Sequence, residues 1–252
     1  MERSDASAFQ STDRVTLESG RLSDIVAAAA VAIGLWLRLR IATGTYLNPD
    51  EAIFFFAGSV DTFKELFDNI VRSQHAPLPI VLLHFIEPIN SSELALRVPA
   101  LVGGSLFPWV VYRWLGEIWS RTAGLMALVV LTFSPALVSL SAQARGYTLV
   151  LLFAALALRW LDAGVAARSG MRIIASAICV ALAVMTEFSG AMFAVGAAAY
   201  FLIRLRDRLP GRLVVVWAIG QAAAAAIAVA LYLTIAAPHL TADAVNPNGV
   251  RQ

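Results

Sequence analysis

Two neighbouring carboxylates and a set of arginines are the residues of this chain best equipped for chemistry. Asp50 and Glu51 stand side by side after Asn48-Pro49, with Arg38 and Arg40 before them and His75, Arg97, Arg145, Tyr147 and Glu187 after them. A carboxylate within hydrogen-bond reach of a hydroxyl or amine can take its proton as general base. Arginine forks match phosphate oxygens and neutralise a phosphate as it departs. Together these types suit transfer of a group from an anionic lipid carrier to a hydroxyl or amine. Each also has a plainer use. Asp50 and Glu51 can cap a helix and favour its positive end. Arg38 and Arg40 can anchor a membrane helix at headgroup level. A lone His75 is commonly an interfacial residue with its polar needs met. Arg97 can pin a helix start, and Tyr147 can belong to an aromatic belt.

Other chemistries have little foothold. The chain lacks G-x-x-x-x-G-K-[ST] and a dinucleotide fingerprint, which disfavours a soluble nucleotide donor. It also lacks H-E-x-x-H, C-x-x-C and G-x-S-x-G. A metal site from His75, Glu187 and Glu51 has no recognisable ligand spacing. No metal ligand is therefore assigned, and a divalent metal stays open as a cofactor. Nothing points to nucleic acid as a partner.

The elements that must position these residues follow from composition. Of 252 residues, 59% are hydrophobic and 14% charged, and the mean hydropathy is +0.74. A soluble domain carries about 25% charged residues, so this surface is not made for water. The apolar residues form long blocks rather than alternating strands, which predicts an all-α, polytopic membrane bundle. The single cysteine, Cys179, excludes an internal disulfide. Formal charge is only +2, and Lys64 is the sole lysine among 19 basic residues.

Residues 1–22 are polar and mixed in charge, and read as a disordered cytoplasmic tail. Ser23 and Asp24 can cap a first span that runs to Arg38 and Arg40. Six further apolar blocks, at 94–115, 123–140, 148–161, 173–185, 190–203 and 213–237, bring the expected count to about seven. Arginine clusters fall on every second connection: Arg113/Arg121, Arg159/Arg168/Arg172 and Arg204/Arg206/Arg208/Arg212. By the positive-inside rule the amino terminus is then cytoplasmic. Residues 47–97, the turn at 143–147, the Glu187 region and the tail at 238–252 face outward. Only 31 residues lie between Arg172 and Arg204, short for two spans. A short hairpin with Glu187 at its tip avoids holding that carboxylate at bilayer depth.

Residues 43–93 form an outer loop. Pro49-Asp50-Glu51 starts a helix there, with Asp50 as its cap. In 61–72 the residues Phe63, Leu66, Phe67, Ile70 and Val71 share one face, the pattern of a helix lying in the membrane interface. The stretch after His75-Ala-Pro-Leu-Pro is apolar but too short to span comfortably. Such helices can roof a cavity that opens sideways to lipid.

The order NPDEAIFFFA, SQHAPLPIVLLHF, SSELALRVPALVGG, SPALVSLSAQARGYTLVLLF and MTEFSGAM resembles the membrane glycosyltransferases of the GT-C class. Within that class it is most similar to the dolichyl-phosphate-mannose protein mannosyltransferase-like family, with its aminoarabinose and lipopolysaccharide glycosyltransferase relatives. The resemblance covers about 25–237, so 23–237 reads as a GT-C-like transmembrane domain. It implies a bacterial inner-membrane enzyme that takes sugar from a polyprenyl-phosphate donor on the outer side. By resemblance Asp50 is the catalytic base and Glu51 shapes the site beside it. Arg145 and Tyr147 match an A-R-x-Y turn of the second outer loop. Arg38 and Arg97 match candidates for the carrier phosphate, and His75 falls where relatives place a metal-ligating or substrate-contacting side chain. Glu187 departs from a position that often carries a polar or basic residue, a difference that points to another sugar. Full members usually have more spans and a carboxy-terminal domain. The chain therefore reads as a fragment, a compact relative, or a chain that needs a partner. A non-catalytic subunit that binds lipid-linked sugar is the alternative to an enzyme.

Overall fold

A computed structural model of the chain describes the backbone of residues 3–207 and 209–238 and the side chains of 21–206 and 209–238. Arg208 and the outer tail beyond Pro238 lie outside the described residues. Among those described there are eleven α-helices and no strand, the all-α bundle that composition demands.

α1 (Arg3–Gly44) carries the first apolar span, Arg21–Gly44. The helix extends back into the polar segment read as a tail; adding turns to a nucleated helix needs no new nucleus. Three more helices are long and apolar enough to cross a bilayer: α5 (Glu93–Ile118), α8 (Tyr147–Ala166) and α11 (Gly211–Leu231) with its π-helical continuation to Ala236. The block at 123–140 is a broken pair, α6 (Arg121–Phe133) and α7 (Pro135–Ser141), bent by 61°. It is one span if counted together, which makes five. α9 (Gly170–Thr186) and α10 (Gly190–Arg204) are the arms of the short hairpin, 17 and 15 residues long. At 1.5 Å per residue they reach about 22–26 Å, less than the roughly 30 Å hydrocarbon core.

Chain reversals bring arginines of the sequence clusters, among them Arg113, Arg121, Arg159 and Arg204, to one end of the bundle. Arg159 pairs with Glu117 at 2.7 Å, and Asp162 accepts from Trp114 (3.0 Å), Tyr200 (2.7 Å) and Arg204, tying α5, α8 and α10 together there. At the other end lie α2 (Pro49–Gly58), α3 (Phe63–Ser73) and α4 (Pro77–Ile86). They share a core of Phe54, Leu66, Ile70, Ile80 and Leu83 with Leu96 of α5 and Ile235. The five apolar residues of α3 share one face, but only part of that face is buried. Leu66 and Ile70 point into this core, whereas Phe63 and Phe67 stay exposed. The helix is thus fastened to protein by one edge and offers two aromatic rings along the other, a fit to headgroups.

Candidate functional site

The site starts from how α2 begins. Asn48, not Asp50, is its cap: Asn48 Oδ1 accepts from the Glu51 amide at 2.9 Å, and Glu51 Oε2 accepts from the Asn48 amide at 2.9 Å. This capping box satisfies two orphan amides at once. It also fixes the first turn, and successive helical residues point about 100° apart. Glu51 therefore turns inward while Asp50 turns out.

Glu51 is 1% exposed and meets Arg97, equally buried, in a two-point bridge. Arg97 Nε donates to Oε1 at 2.9 Å and Nη2 to Oε2 at 3.1 Å. Oε1 also accepts from the Ala144 amide at 2.6 Å. The rest of the Arg97 fork donates to the carbonyls of Ala42 (2.6 Å), Thr45 (2.8 Å) and Tyr46 (3.0 Å). All five guanidinium N–H groups are spent, and both carboxylate oxygens accept twice. Four chain segments meet in this clamp: the end of α1, the start of α2, the start of α5 and the turn before α8. Burial pushes the Glu51 carboxyl up, but the hydrogen bonds from Arg97 and from the Asn48 and Ala144 amides, with the Arg97 charge, hold it below the usual range. A carboxylate depressed in the folded state stabilises fully above its unfolded value, and that stabilisation is lost as pH falls through the folded one. Thermal midpoints of the solubilised chain should fall on acidification below about pH 4.3, the ordinary glutamate value. Glu51→Gln should start lower and lack this component of the fall.

Asp50 has the opposite setting. Its side chain is 62% exposed and meets Arg145 Nη1 at 2.7 Å, with Arg145 20% exposed. The Arg145 guanidinium lies over the Tyr147 ring, 4.6 Å from its centroid. Arg145 is delivered by the turn between α7 and α8. That turn is anchored by the Ala144 amide on Glu51 and wedged at Gly146. A Cβ at Gly146 would lie 2.7 Å from the Thr186 carbonyl and 3.0 Å from Pro79 Cγ. The turn thus touches both the end of α9 and the start of α4. Gly146→Ala should destabilise the chain by about 1–3 kcal/mol, the usual range for overpacking, read as a lowered thermal midpoint. A crevice of only about 10 Å³ is lined by Arg145 with Pro79, Leu83, Leu96, Pro99, Ala144 and Leu149.

Of the residues expected at the site, Asp50, Arg145 and Tyr147 are brought together directly. Glu51 and Arg97 are adjacent, buried and bonded to each other, with their remaining polar atoms taken up by backbone groups. Arg38 is 1% exposed within the bundle, bonded to Gly34, Thr132 and Ser141. Its neighbour Arg40 is the exposed one and lies over Trp36 at 5.4 Å. His75 is half-buried, with Nδ1 2.6 Å from the Ser73 carbonyl and its ring edge-on to Phe54. Glu187 ends α9 at the hairpin tip, half-buried, and its carboxylate makes no hydrogen bond or ion pair among the described residues. No three His, Cys, Asp or Glu among those residues are placed to hold a metal ion, which removes the His75–Glu187–Glu51 grouping.

Asn48, Ala144 and Gly146 are the positions that sequence reasoning passed over. Asn48 was readable, since Asn three residues before Glu is a capping-box pattern. Ala144 acts through its amide, which leaves no signature in residue type.

No curated protein and no solved structure matches the chain. The family model described as dolichyl-phosphate-mannose-protein mannosyltransferase matches residues 74–241, more than half of the chain. His75, Arg97, Arg145, Tyr147 and Glu187 fall inside that match, while Arg38, Asp50 and Glu51 precede it. With the helical membrane fold, the matched stretch places the chain in the dolichyl-phosphate-mannose-protein mannosyltransferase family.

Proposed function

We propose that the chain transfers a sugar from a polyprenyl-phosphate carrier to an acceptor at the outer face of a bacterial inner membrane, its amino terminus lying on the cytoplasmic side. Membership of a membrane glycosyltransferase family that uses lipid-linked donors supports the donor class, and the helices make it a multi-pass membrane protein. The observation that carries the reading is the exposed Asp50–Arg145 pair, held at 2.7 Å beside a saturated clamp. One member is a carboxylate open to an acceptor, and the other is a fork suited to a phosphate.

In the reaction the acceptor oxygen or nitrogen forms a bond to the anomeric carbon, and the bond from that carbon to the carrier phosphate oxygen breaks. The acceptor proton passes to Asp50, and the lipid phosphate leaves with the bonding electrons. Arg145 neutralises the charge that grows on the departing oxygen. Before substrate arrives the two side chains neutralise each other; a phosphate competing for Arg145 releases Asp50 to act as base. Tyr147 supports the guanidinium from one face by cation–π attraction.

Radiolabelled polyprenyl-phosphate sugars presented to the full chain in proteoliposomes test the reading. Transfer to added acceptor, with release of polyprenyl phosphate, is the expected result. Saturable binding without turnover would overturn it in favour of a non-catalytic subunit.

A further inference from the structure

We infer that Arg38 is a positioning residue that holds the broken span α6–α7 bent, and thereby sets the turn that carries Arg145. The break has a local cause. Pro135 has no N–H, and the residue before a proline is pushed out of the helical region; Ser134 accordingly sits extended at φ −60° and ψ 119°. A helix that ends there leaves its last carbonyls without their usual donors. Inside a bilayer no water replaces them, and broken helices persist only where protein satisfies the freed groups.

Arg38 satisfies one of them and also reaches a side chain beyond the bend. Nη1 donates to the Thr132 carbonyl at 3.1 Å, before the break, and to Gly34 of its own helix at 3.0 Å. Nε donates to Ser141 Oγ at 3.1 Å, after the break, and that hydroxyl donates onward to the Leu137 carbonyl. One rigid fork thus spans α6 and α7. Both neighbouring helices make room for it. A Cβ at Gly34 would lie 2.3 Å from Thr132 Cγ2, and one at Gly104 would lie 1.9 Å from Ser141 Oγ. All of the acceptors are neutral, and the third nitrogen, Nη2, is buried with no partner among the described residues. Charge alone does not account for the residue; the two-sided reach of the fork does. Ser141 closes α7, and the chain then runs directly into Ala144, bonded to Glu51, and Arg145, paired with Asp50.

The inference takes the Asp50–Arg145 pair of the proposed reaction as the thing positioned, but its test reads proximity, not turnover. The full chain in nanodiscs, with Cys179→Ser, carries Asp50→Cys and Arg145→Cys for a short bifunctional maleimide. A second version carries Glu117→Cys and Arg159→Cys at the opposite end of the bundle. Arg38→Met should lower the first cross-link by about tenfold, the scale set by losing hydrogen bonds from a charged donor, and leave the second unchanged. Arg38→Lys should fail to restore it, because an ammonium is a point charge without the fork's two-sided geometry. Ser134→Ala with Pro135→Ala, leaving Arg38 in place, should lower the same cross-link by straightening the span. Unchanged yield in Arg38→Met, recovery in Arg38→Lys, equal loss of both cross-links, or no response to straightening would each overturn the assignment. Sugar transfer can fail outright without touching any of these outcomes.

Discussion

Asp50→Asn is expected to lower sugar transfer by about 10²–10⁴-fold, the usual contribution of a positioned general base, with little change in stability. The carboxylate is 62% exposed and its one ion pair is with a partly exposed arginine, an arrangement that stabilises by at most about 1 kcal/mol. Asparagine keeps the shape and can still accept from Arg145, so donor binding should persist while turnover falls. The measurement is initial rate against donor concentration in proteoliposomes. A variant that transfers at the wild-type rate would remove Asp50 from the chemistry. Arg145→Gln gives the complementary pattern: its loss should raise the donor concentration needed for half-maximal rate as well as lower the rate, because it is assigned to the phosphate in both ground and transition states.

One residue further along, the expectation reverses. Arg97→Met should destabilise the chain by about 3–5 kcal/mol, the range for removing one partner of a buried ion pair. The substitution leaves Glu51 buried against Ala144 with no cation, and it frees the carbonyls of Ala42, Thr45 and Tyr46. Proteolysis of the segment between α1 and α5 and the thermal midpoint of the purified chain both report this. Glu51→Gln should cost less, since the amide keeps one acceptor oxygen for the clamp. The pair Glu51→Gln/Arg97→Met should recover part of the single-variant loss, because no unpaired charge then remains buried. Additive losses would show that the two side chains stabilise the chain independently.

The contrast between Asp50 and Glu51 shows how far residue types carry an argument. Both were visible as a dyad, and either could have been the base. The capping box divides their roles, because it points one carboxylate into the bundle and the other out. Arg38 and Arg97 present the same lesson. Each is an arginine toward the end of a membrane helix, a position that suits a lipid phosphate. Yet one spans a helix break and the other closes a four-segment clamp, because in a bilayer any unpaired backbone carbonyl within reach competes for a guanidinium.

The order of residues by itself determined the membrane bundle, the long spans, the short hairpin and the three short helices between the first two spans. Those features rest on hydrophobicity summed over long windows and on arginine placement, which are local properties of the chain. Contact between Asp50 and Arg145, 95 positions apart, was decided only in three dimensions. So were the bend at Ser134–Pro135 and the exclusion of Glu51, Arg97 and Arg38 from solvent. The physical reason is that hydrogen-bond donors are assigned by distance and direction among several acceptors, and neither is encoded in the type of a residue or in its immediate neighbours.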